Sequence, residues 1–576
     1  MKKTVVKLVA VTLVAVLLLP FCGGIGRVQA SGAPVTLTGF MTSGQNQSAI
    51  DKATWFTSWL AEEMGIKLEF VDAAGTAPAQ IIQNMLTSRE LPDLIQFGGI
   101  VGHGFANTSA QTGLLINLED YKDALPSIFE NPHYQYAIEY SRENLSGGTG
   151  NVYCLPMLIG PWNPAGNENP QLRWDIYREL GMPALPTLES LSDVVEAMLA
   201  IYPETEEGLS TMGFSGTPEF DGTNGLFYIQ HYVIALGRRI IPGFVEVDIG
   251  GGEKGGPPIS AIDDSAQMLR VLRWLNDAQK RGLIDPDSAV QTFDEMQAKS
   301  ADGRVMLTHW AWDGTAFNTP ARVNAEPPVG YAAVWTDDMY PPIRCEAWTG
   351  ALETMAISAN SKNLDKALEL LNFFYSFDGY DFMVNGPKGE LWDLDADGNR
   401  YRTEKGWDAF LLNTANTFME GGGLRADAMS IFGYGPVTNY TVNPTYGDQT
   451  IQSAYWKDTL MYNPSKLVVE WRENHEGALD IYQWALPRDR VSKTTPATDM
   501  MAAMPDDITI KLNDISNMIN EKCWQMIYAK DDAEFDALWA EIKITAEGYG
   551  LAEVQEWTLA AWANALDMAE RYSPAQ

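Results

Sequence analysis

Cysteine is scarce in this chain. Four occur in 576 residues, at Cys22, Cys154, Cys345 and Cys523, with no Cys-x-x-Cys pair. That excludes a disulfide framework and a thiolate zinc site. Buried thiols are expected beyond Cys22, with one bridge among the three as the alternative. Histidine is nearly as rare. The five, His103, His133, His231, His309 and His475, show no His-x-x-x-His or His-Glu-x-x-His spacing, so no zinc site is suggested. A Gly-x-Ser-x-Gly nucleophile motif is missing. Basic residues are outnumbered, 40 Lys+Arg against 75 Asp+Glu. Beyond the N-terminus no segment approaches the roughly eighteen uncharged apolar residues of a membrane span.

The N-terminus itself reads as an export signal over 1–30. Lys2, Lys3 and Lys7 supply the positive region, and an apolar run from Val5 to Leu19 follows, too short and wrongly flanked for a span. Two cleavage readings stay open. "LPFCGG" places Cys22 just after the apolar run, as in a lipid-modified protein, although Phe21 before it is bulky. "VQAS" offers the small-residue rule of ordinary signal peptidase. Without residues 1–30, which carry four basic and no acidic residues, 36 Lys+Arg face 75 Asp+Glu, a net of −39. Such a surface repels nucleic acid and anionic membranes; a plain solvated surface carries the same signature.

What is present is core. Hydrophobic residues make up 45% and aromatics 11% of the chain, which argues against general disorder. The 18 Trp suit both a core and a binding cleft with flat apolar walls. The length gives a prior of three to four domains, reduced to two if the lobes are large α/β units.

Local patterns favour the latter. "APVTLTGF" reads as a strand. In "ATWFTSWLAEEMG", Trp55, Trp59, Leu60 and Met64 recur at helical spacing and Gly65 ends the helix. "IKLEFV" alternates as a strand, "PAQIIQNMLTSREL" is helical and "PDLIQFGG" is a short apolar strand. This β-α-β-α-β order predicts a parallel sheet with helices on its faces, binding at the carboxyl ends of its strands. "LDKALELLNFFYSFDGYDFM" predicts an amphipathic helix, and the last hundred residues are mostly helical in pattern.

The order of these segments resembles the family-1 extracellular solute-binding proteins of ABC importers, the large oligosaccharide type of Gram-positive bacteria, as a distant and enlarged relative of maltose-binding protein. The stretches that carry the resemblance are "LPDLIQFGG", "TGLLINLEDYKDALPSI", "GNVYCLPMLIGPW", "LRWDIYRELGMPALPTLESLSDVVEAM", "ADGRVMLTHWAW", "SKNLDKALELLNFFYS" and "GPKGELWDLDADGN". No one of them is specific, but their order covers most of the chain. The resemblance implies a two-lobed α/β fold of type II, each lobe a sheet flanked by helices, with a ligand cleft between. It implies a first lobe of 33–155 plus 352–440 and a second of 156–351 plus 441–576. It also implies a monomeric, non-catalytic receptor that captures a carbohydrate outside the cell and delivers it to ABC permease subunits. A cell without an outer membrane needs to hold such a receptor by a lipid, which favours Cys22 as the anchor.

Sugar sites need aromatic faces for the apolar side of a ring and polar groups for its hydroxyls. Trp310, Trp312 and Asp313 follow a strand in "HWAWDG", where the resemblance implies a stacking Trp. Trp162 and Trp348, the latter beside Glu346, stand near expected crossings between lobes. Phe40, Ser43 and Phe97 stand at first-lobe strand ends. Each of these aromatics has a competing role as core. Arg173 and Asp175, in the Arg-x-Asp of that resemblance, are expected to be structural, as an ion pair or as a cap for the next helix.

"WDLDADGNRYRTE" poses a separate question. Asp393, Asp395, Asp397, the Asn399 carbonyl, Tyr401 and Glu404 fall at EF-hand ligand spacing, with Gly398 at the turn. The pattern admits a structural calcium; no other cofactor is implied. Against it, "NGPKGE" forbids the helix that should precede the loop, and Arg400 replaces the usual aliphatic residue at the eighth position. A hairpin, "ELWDL" and "RYRTE" about a "DADGN" turn, is the other reading.

Two functions compete with the receptor. A secreted carbohydrate-active enzyme would need only two carboxylates across a cleft, and a sensor-type solute receptor would differ only in its partner.

Overall fold

The computed structural model describes residues 33–574 except 43–53, 72–75, 77, 99–101, 162, 165–168, 223–224, 250–255, 311–312, 345, 351–352, 412–427, 429–430, 439, 448, 463 and 503. In chain order, β1 (Val35–Phe40), β2 (Ile66–Phe70), β3 (Leu94–Phe97) and β4 (Cys154–Pro156) come first. β5 (Asn163–Pro164) leaves them for β6 (Gln171–Arg173), β7 (Leu307–Thr308) and β8 (Tyr331–Ala333). β9 (Pro342–Arg344) leads back to β10 (Thr354–Ile357). A hairpin of β11 (Trp392–Leu394) and β12 (Arg400–Arg402) and a late strand β13 (Ser492–Lys493) complete the strands used below. The helices that matter are α1 (Gln135–Asn144), α2 (Phe227–Ala235), α3 (Gln267–Lys280), α4 (Phe293–Ala301) and α5 (Leu364–Tyr375). α6 (Phe377–Asn385), α7 (Asp506–Ile527), α8 (Asp532–Gly548) and α9 (Leu551–Arg571) follow.

The first lobe is built on a sheet of order β2-β1-β3-β10-β4. β1 pairs parallel with β2 and β3, while β10, returning from the second lobe, runs antiparallel to β3 and β4. Position in the sheet explains the patterning. β2 is the edge strand, with Ile66, Leu68 and Phe70 buried and Lys67 and Glu69 exposed between them. β3 and β10 are central and buried at every position, as strands covered on both faces must be. Gly65 ends the preceding helical turn in the left-handed region at φ 64°. The single amphipathic helix expected after Leu364 is two helices. Ser376 leaves helical geometry, and its hydroxyl caps α6 by accepting the Gly379 N–H at 2.9 Å.

One face of this sheet packs a core of Leu37, Trp55, Leu94, Met355, Leu371 and Phe374. Ile451 and Trp456 belong to the same core, so the stretch 441–456, expected with the second lobe, packs in the first. The second lobe has its own core, in which Leu172, Val195, Phe214, Trp274, Leu307 and Ile519 meet. Its sheet has the order β7-β6-β8, antiparallel throughout, extended by bridges from Met212 to Val305 and from Phe214 to Ile284. Arg173 in β6 is buried and paired with Asp175 at 2.9 Å, its guanidinium over the Phe317 ring at 4.4 Å. Cys154 and Cys523 are buried free thiols. Among the described residues no helix is long and apolar enough to cross a membrane.

Three passages join the lobes. β5, β9 and β13 form one small sheet of order β13-β9-β5, and Gly160 bridges Ala347 beside it. Gly160 has φ 141°, and a Cβ there would lie 2.6 Å from Thr441 Oγ1 and 3.1 Å from the His133 ring. The helix α9 is a further link. Its Leu551 and Val554 sit in the second-lobe core. Trp562, Ala565, Ala569 and Tyr572 pack in a third cluster with Phe40, Phe97 and Tyr140 of the first lobe and Val245 and Val247 of the second.

Candidate functional site

On the second lobe, β7 runs into His309 and Trp310. His309 is enclosed: Tyr232 Oη lies 2.9 Å from its Nδ1 and the Tyr228 ring packs edge-on at 4.3 Å. Burial, with His231 nearby, pushes it down to about 3, so the ring is neutral. Trp310 is 6% exposed. Its indole meets His231 of α2 at 5.2 Å, Phe293 of α4 at 5.9 Å and Phe220 at 6.2 Å, all edge-on. Phe220, 44% exposed, is the ring of this group that faces water.

Asp313 holds the loop. Its Oδ2 accepts the backbone N–H groups of His309 and Trp310, each at 3.3 Å, and its Oδ1 accepts from the Gln297 amide on α4. Burial pushes the carboxyl up to about 6, against the pull of those hydrogen bonds. Nearby, Asp285 accepts from Ser215 at 2.6 Å, Lys299 at 2.7 Å and Gln291 at 3.0 Å, fixing α4 to the bridged segment that precedes Phe220.

A second aromatic surface lies where the crossings meet the first lobe. A cavity of ≈ 480 Å³ is lined by His133, Tyr136, Pro161, Trp348, Phe377 and Tyr440 among others. The Trp348 ring is 5.3 Å from that of His133, which meets Phe377 at 5.2 Å. Trp348 donates its indole N–H to Glu346 at 2.8 Å, which fixes the orientation of the ring. His133 Nε2 lies 3.0 Å from the Ile159 carbonyl, and burial lowers its pKa. This mixture of flat apolar faces and a few oriented polar groups is what a sugar ring requires.

The expected site residues divide accordingly. Trp310 and Asp313 come together on the second lobe, and Trp348 and Glu346 pair at the crossing. Asp313 braces the loop rather than offering an open carboxylate. Phe40 and Phe97 are corrected to core: both are 0% exposed, because these strand ends are covered on both faces. Ser43, Trp162, Trp312 and Cys22 lie outside the described residues. The proposed calcium ligands form a hairpin, with Asp393 opposite Tyr401, and among the described residues no group of three or more His, Cys, Asp or Glu side chains is arranged to hold a metal. Phe220, Phe293, His231, His133 and Tyr440 were not anticipated. The available signal was weak: Phe220 sits in "GTPEFDGTNG", a turn-rich loop of the kind where binding residues concentrate.

No protein-family model and no curated protein matches the chain. Solved structures do. The S. pneumoniae ABC-transporter substrate-binding protein FusA, an EF-hand mutant in complex with fructo-nystose, aligns with TM-score 0.58 at 16% identity over 93% of this chain and 99% of that one. The alginate-binding protein AlgQ2 without calcium ion aligns with TM-score 0.57 at 16% identity, covering 92% and 98%. An HMO-binding, ABC-transporter-associated solute-binding protein from Bifidobacterium longum infantis aligns with TM-score 0.54 at 16% identity, covering 93% and 99%. The chain therefore has the two-lobed α/β fold of the extracellular solute-binding proteins.

Proposed function

We propose that this protein is the substrate-binding receptor of an ABC importer, that it captures an oligosaccharide between its lobes outside the cell, and that it hands the sugar unaltered to membrane permease subunits. The observation that carries this reading is a fold shared along nearly the whole chain with sugar-binding receptors, combined with aromatic surfaces on both sides of the crossings. The Trp310–Phe220 group and the Trp348 cavity are the proposed sugar platforms. Trp162 and Trp312 are proposed to add to them, and Ser43 to supply a polar contact from the first lobe.

The first lobe is proposed to comprise 33–155 and 352–440, with 441–456 joining it, and the second 156–351 with the remainder of 441–576. A two-lobed receptor with a hinge closes by rigid-body motion rather than by reshaping a core. Export through residues 1–30, anchoring by a lipid on Cys22 and a monomeric state complete the reading.

Binding without hydrolysis is part of this reading, and Asp313, engaged by two peptide N–H groups and Gln297, serves in it as a brace for the Trp310 loop. The test is a titration of intrinsic Trp fluorescence against neutral oligosaccharides, fructans and milk-type glycans included, with chromatography of the sugar afterwards. Saturable change with intact sugar is expected. Conversion of the sugar would move the protein to the enzymes, and the absence of saturation across the panel would remove the carbohydrate reading.

A further inference from the structure

The hairpin Trp392–Arg402 carries a complete EF-hand ligand pattern and uses almost none of it in the way a calcium loop does. Such a loop turns the side chains of its first, third and fifth positions, the carbonyl of its seventh and a bidentate Glu at its twelfth toward one point. Here the first and ninth positions, Asp393 and Tyr401, face each other across the β11–β12 ladder. The seventh-position carbonyl, of Asn399, accepts the Asp395 N–H at 2.8 Å as a hairpin rung. Asp395 accepts the N–H groups of Asp397 and Asn399 at 2.9 and 2.8 Å on Oδ1 and the Asn399 amide at 3.0 Å on Oδ2. Only Glu404, which opens the helix Glu404–Leu411, stands where the last ligand of such a loop stands, since a helix follows that loop. These residues do not fit a calcium ion.

A cation is present nevertheless, at the eighth position. Arg400 is 1% exposed. Its Nη2 lies 2.5 Å from Asp381 Oδ1 on α6, and its Nη1 donates to the Thr450 carbonyl at 3.3 Å. The guanidinium lies over the Trp392 ring at 4.0 Å and the Trp456 ring at 4.4 Å, with Tyr446 at 5.1 Å. Asp381 is completed by the amides of Asn385 at 2.8 Å and Asn443 at 3.1 Å. The hairpin, α6 and the stretch 443–456 thus converge on one buried pair, Arg400 with Asp381. A planar guanidinium suits that place, since it pairs with a carboxylate while stacking on indoles.

We propose that Arg400 is the built-in cation of this loop, that it joins the hairpin to α6 and to 443–456, and that the 393–404 loop takes no calcium. The Asn399 carbonyl and the Asp395 carboxylate, which a divalent ion would need, are already taken by the hairpin's own N–H groups.

The test uses the full chain and calcium alone as the probe. Thermal unfolding is followed in a chelator and at about 10⁻³ M calcium, near the range in which extracellular calcium modules bind, and terbium luminescence sensitised by Trp392 or Tyr401 is recorded in parallel. The expected result is one melting temperature in both buffers and no sensitised emission that depends on the loop. A rise with calcium that persists in Asp395→Asn and Asp397→Asn places the ion elsewhere and leaves the proposal standing; a rise or emission abolished by those changes overturns it. Arg400→Leu, which restores an aliphatic eighth residue, and Arg400→Lys are expected to lower the melting temperature with no rescue by calcium. An unchanged melting temperature in Arg400→Leu, or rescue by calcium, overturns the role of Arg400. The wild-type calcium comparison decides the calcium half of the proposal even if Arg400→Leu fails to fold.

Discussion

The carboxylate of Asp313 accepts the peptide N–H of Trp310 at 3.3 Å, within a loop that the two residues themselves close. The Trp310 indole meets the exposed Phe220 ring edge-on at 6.2 Å, so this bond restrains the backbone of the aromatic group proposed above as a sugar platform. Removing it in Asp313→Ala leaves two buried N–H groups unpaired, at a cost of about 1–3 kcal/mol. If part of that cost falls on the loop in its sugar-bound form, affinity in a fluorescence titration should drop roughly ten-fold.

The same carboxyl makes stability depend on pH. Asp313 is pushed up to about 6 in the fold, against about 3.9 in an unfolded chain. The folded state then holds the proton more tightly. Its contribution is fullest below about pH 4, declines as pH rises toward about 6 and is flat above that. Asp313→Asn does not titrate. Denaturant unfolding of both proteins should show the wild type losing roughly 2–3 kcal/mol relative to the variant across that window. A constant difference from pH 4 to 7 would refute the assignment.

Trp310 and Phe220 should separate stability from binding. Trp310 is nearly buried, and its replacement by Ala should cost about 3–5 kcal/mol of stability. Phe220 is 44% exposed, so Phe220→Ala should stay within about 0.5 kcal/mol of wild type. If Phe220 stacks on sugar, the variant should nevertheless bind about ten-fold more weakly, as loss of an aromatic contact of about 1.5 kcal/mol implies. Unchanged affinity in Phe220→Ala would remove this ring from the site.

Gly160 is a tight point of the crossings. An added methyl meets Thr441 Oγ1 at 2.6 Å, and its φ of 141° is one that side chains rarely adopt. Gly160→Ala should therefore lower stability by roughly 1–3 kcal/mol, measured by denaturant unfolding.

Cys154 and Cys523 are both 0% exposed, and burial pushes the Cys154 thiol up to about 12. Neither should react with a thiol reagent at pH 8 until the protein is unfolded. Peptide mapping of the modified protein before and after denaturant checks this.

Much of the first lobe was legible because its patterns are set by position in a sheet. The alternation in "IKLEF" marks an edge strand, and the unbroken burial of "LIQF" a central one. The site was harder to read. The strand ends were expected to face a ligand, yet Phe40 and Phe97 are packed on every side, because spacing does not say how much covers a face. Most described Trp residues, among them Trp55, Trp274, Trp456 and Trp562, went into cores, so abundance alone did not mark a cleft. Trp348 finds His133 only through the fold, and Phe220 lies in a loop with no periodicity. The EF-hand spacing was complete in sequence, but spacing cannot reveal that the Asn399 carbonyl is used by a hairpin rung.

The helix α9 ties the two lobes together. Twenty-one residues rise about 30 Å, and the two ends are held by different lobes. Gln555 donates to the Phe244 carbonyl at 3.1 Å and Ser260 Oγ at 2.9 Å on one side. On the other, Arg571 Nη2 and Tyr572 Oη both reach Glu143 at 2.7 Å. Any closing rotation must shear the contacts at one end, as a lever loads its far tip. Under the proposed function, the affinity for a ligand is then a net quantity, and a change at Glu143, remote from the Trp310 loop along the chain, shifts it without touching the ligand.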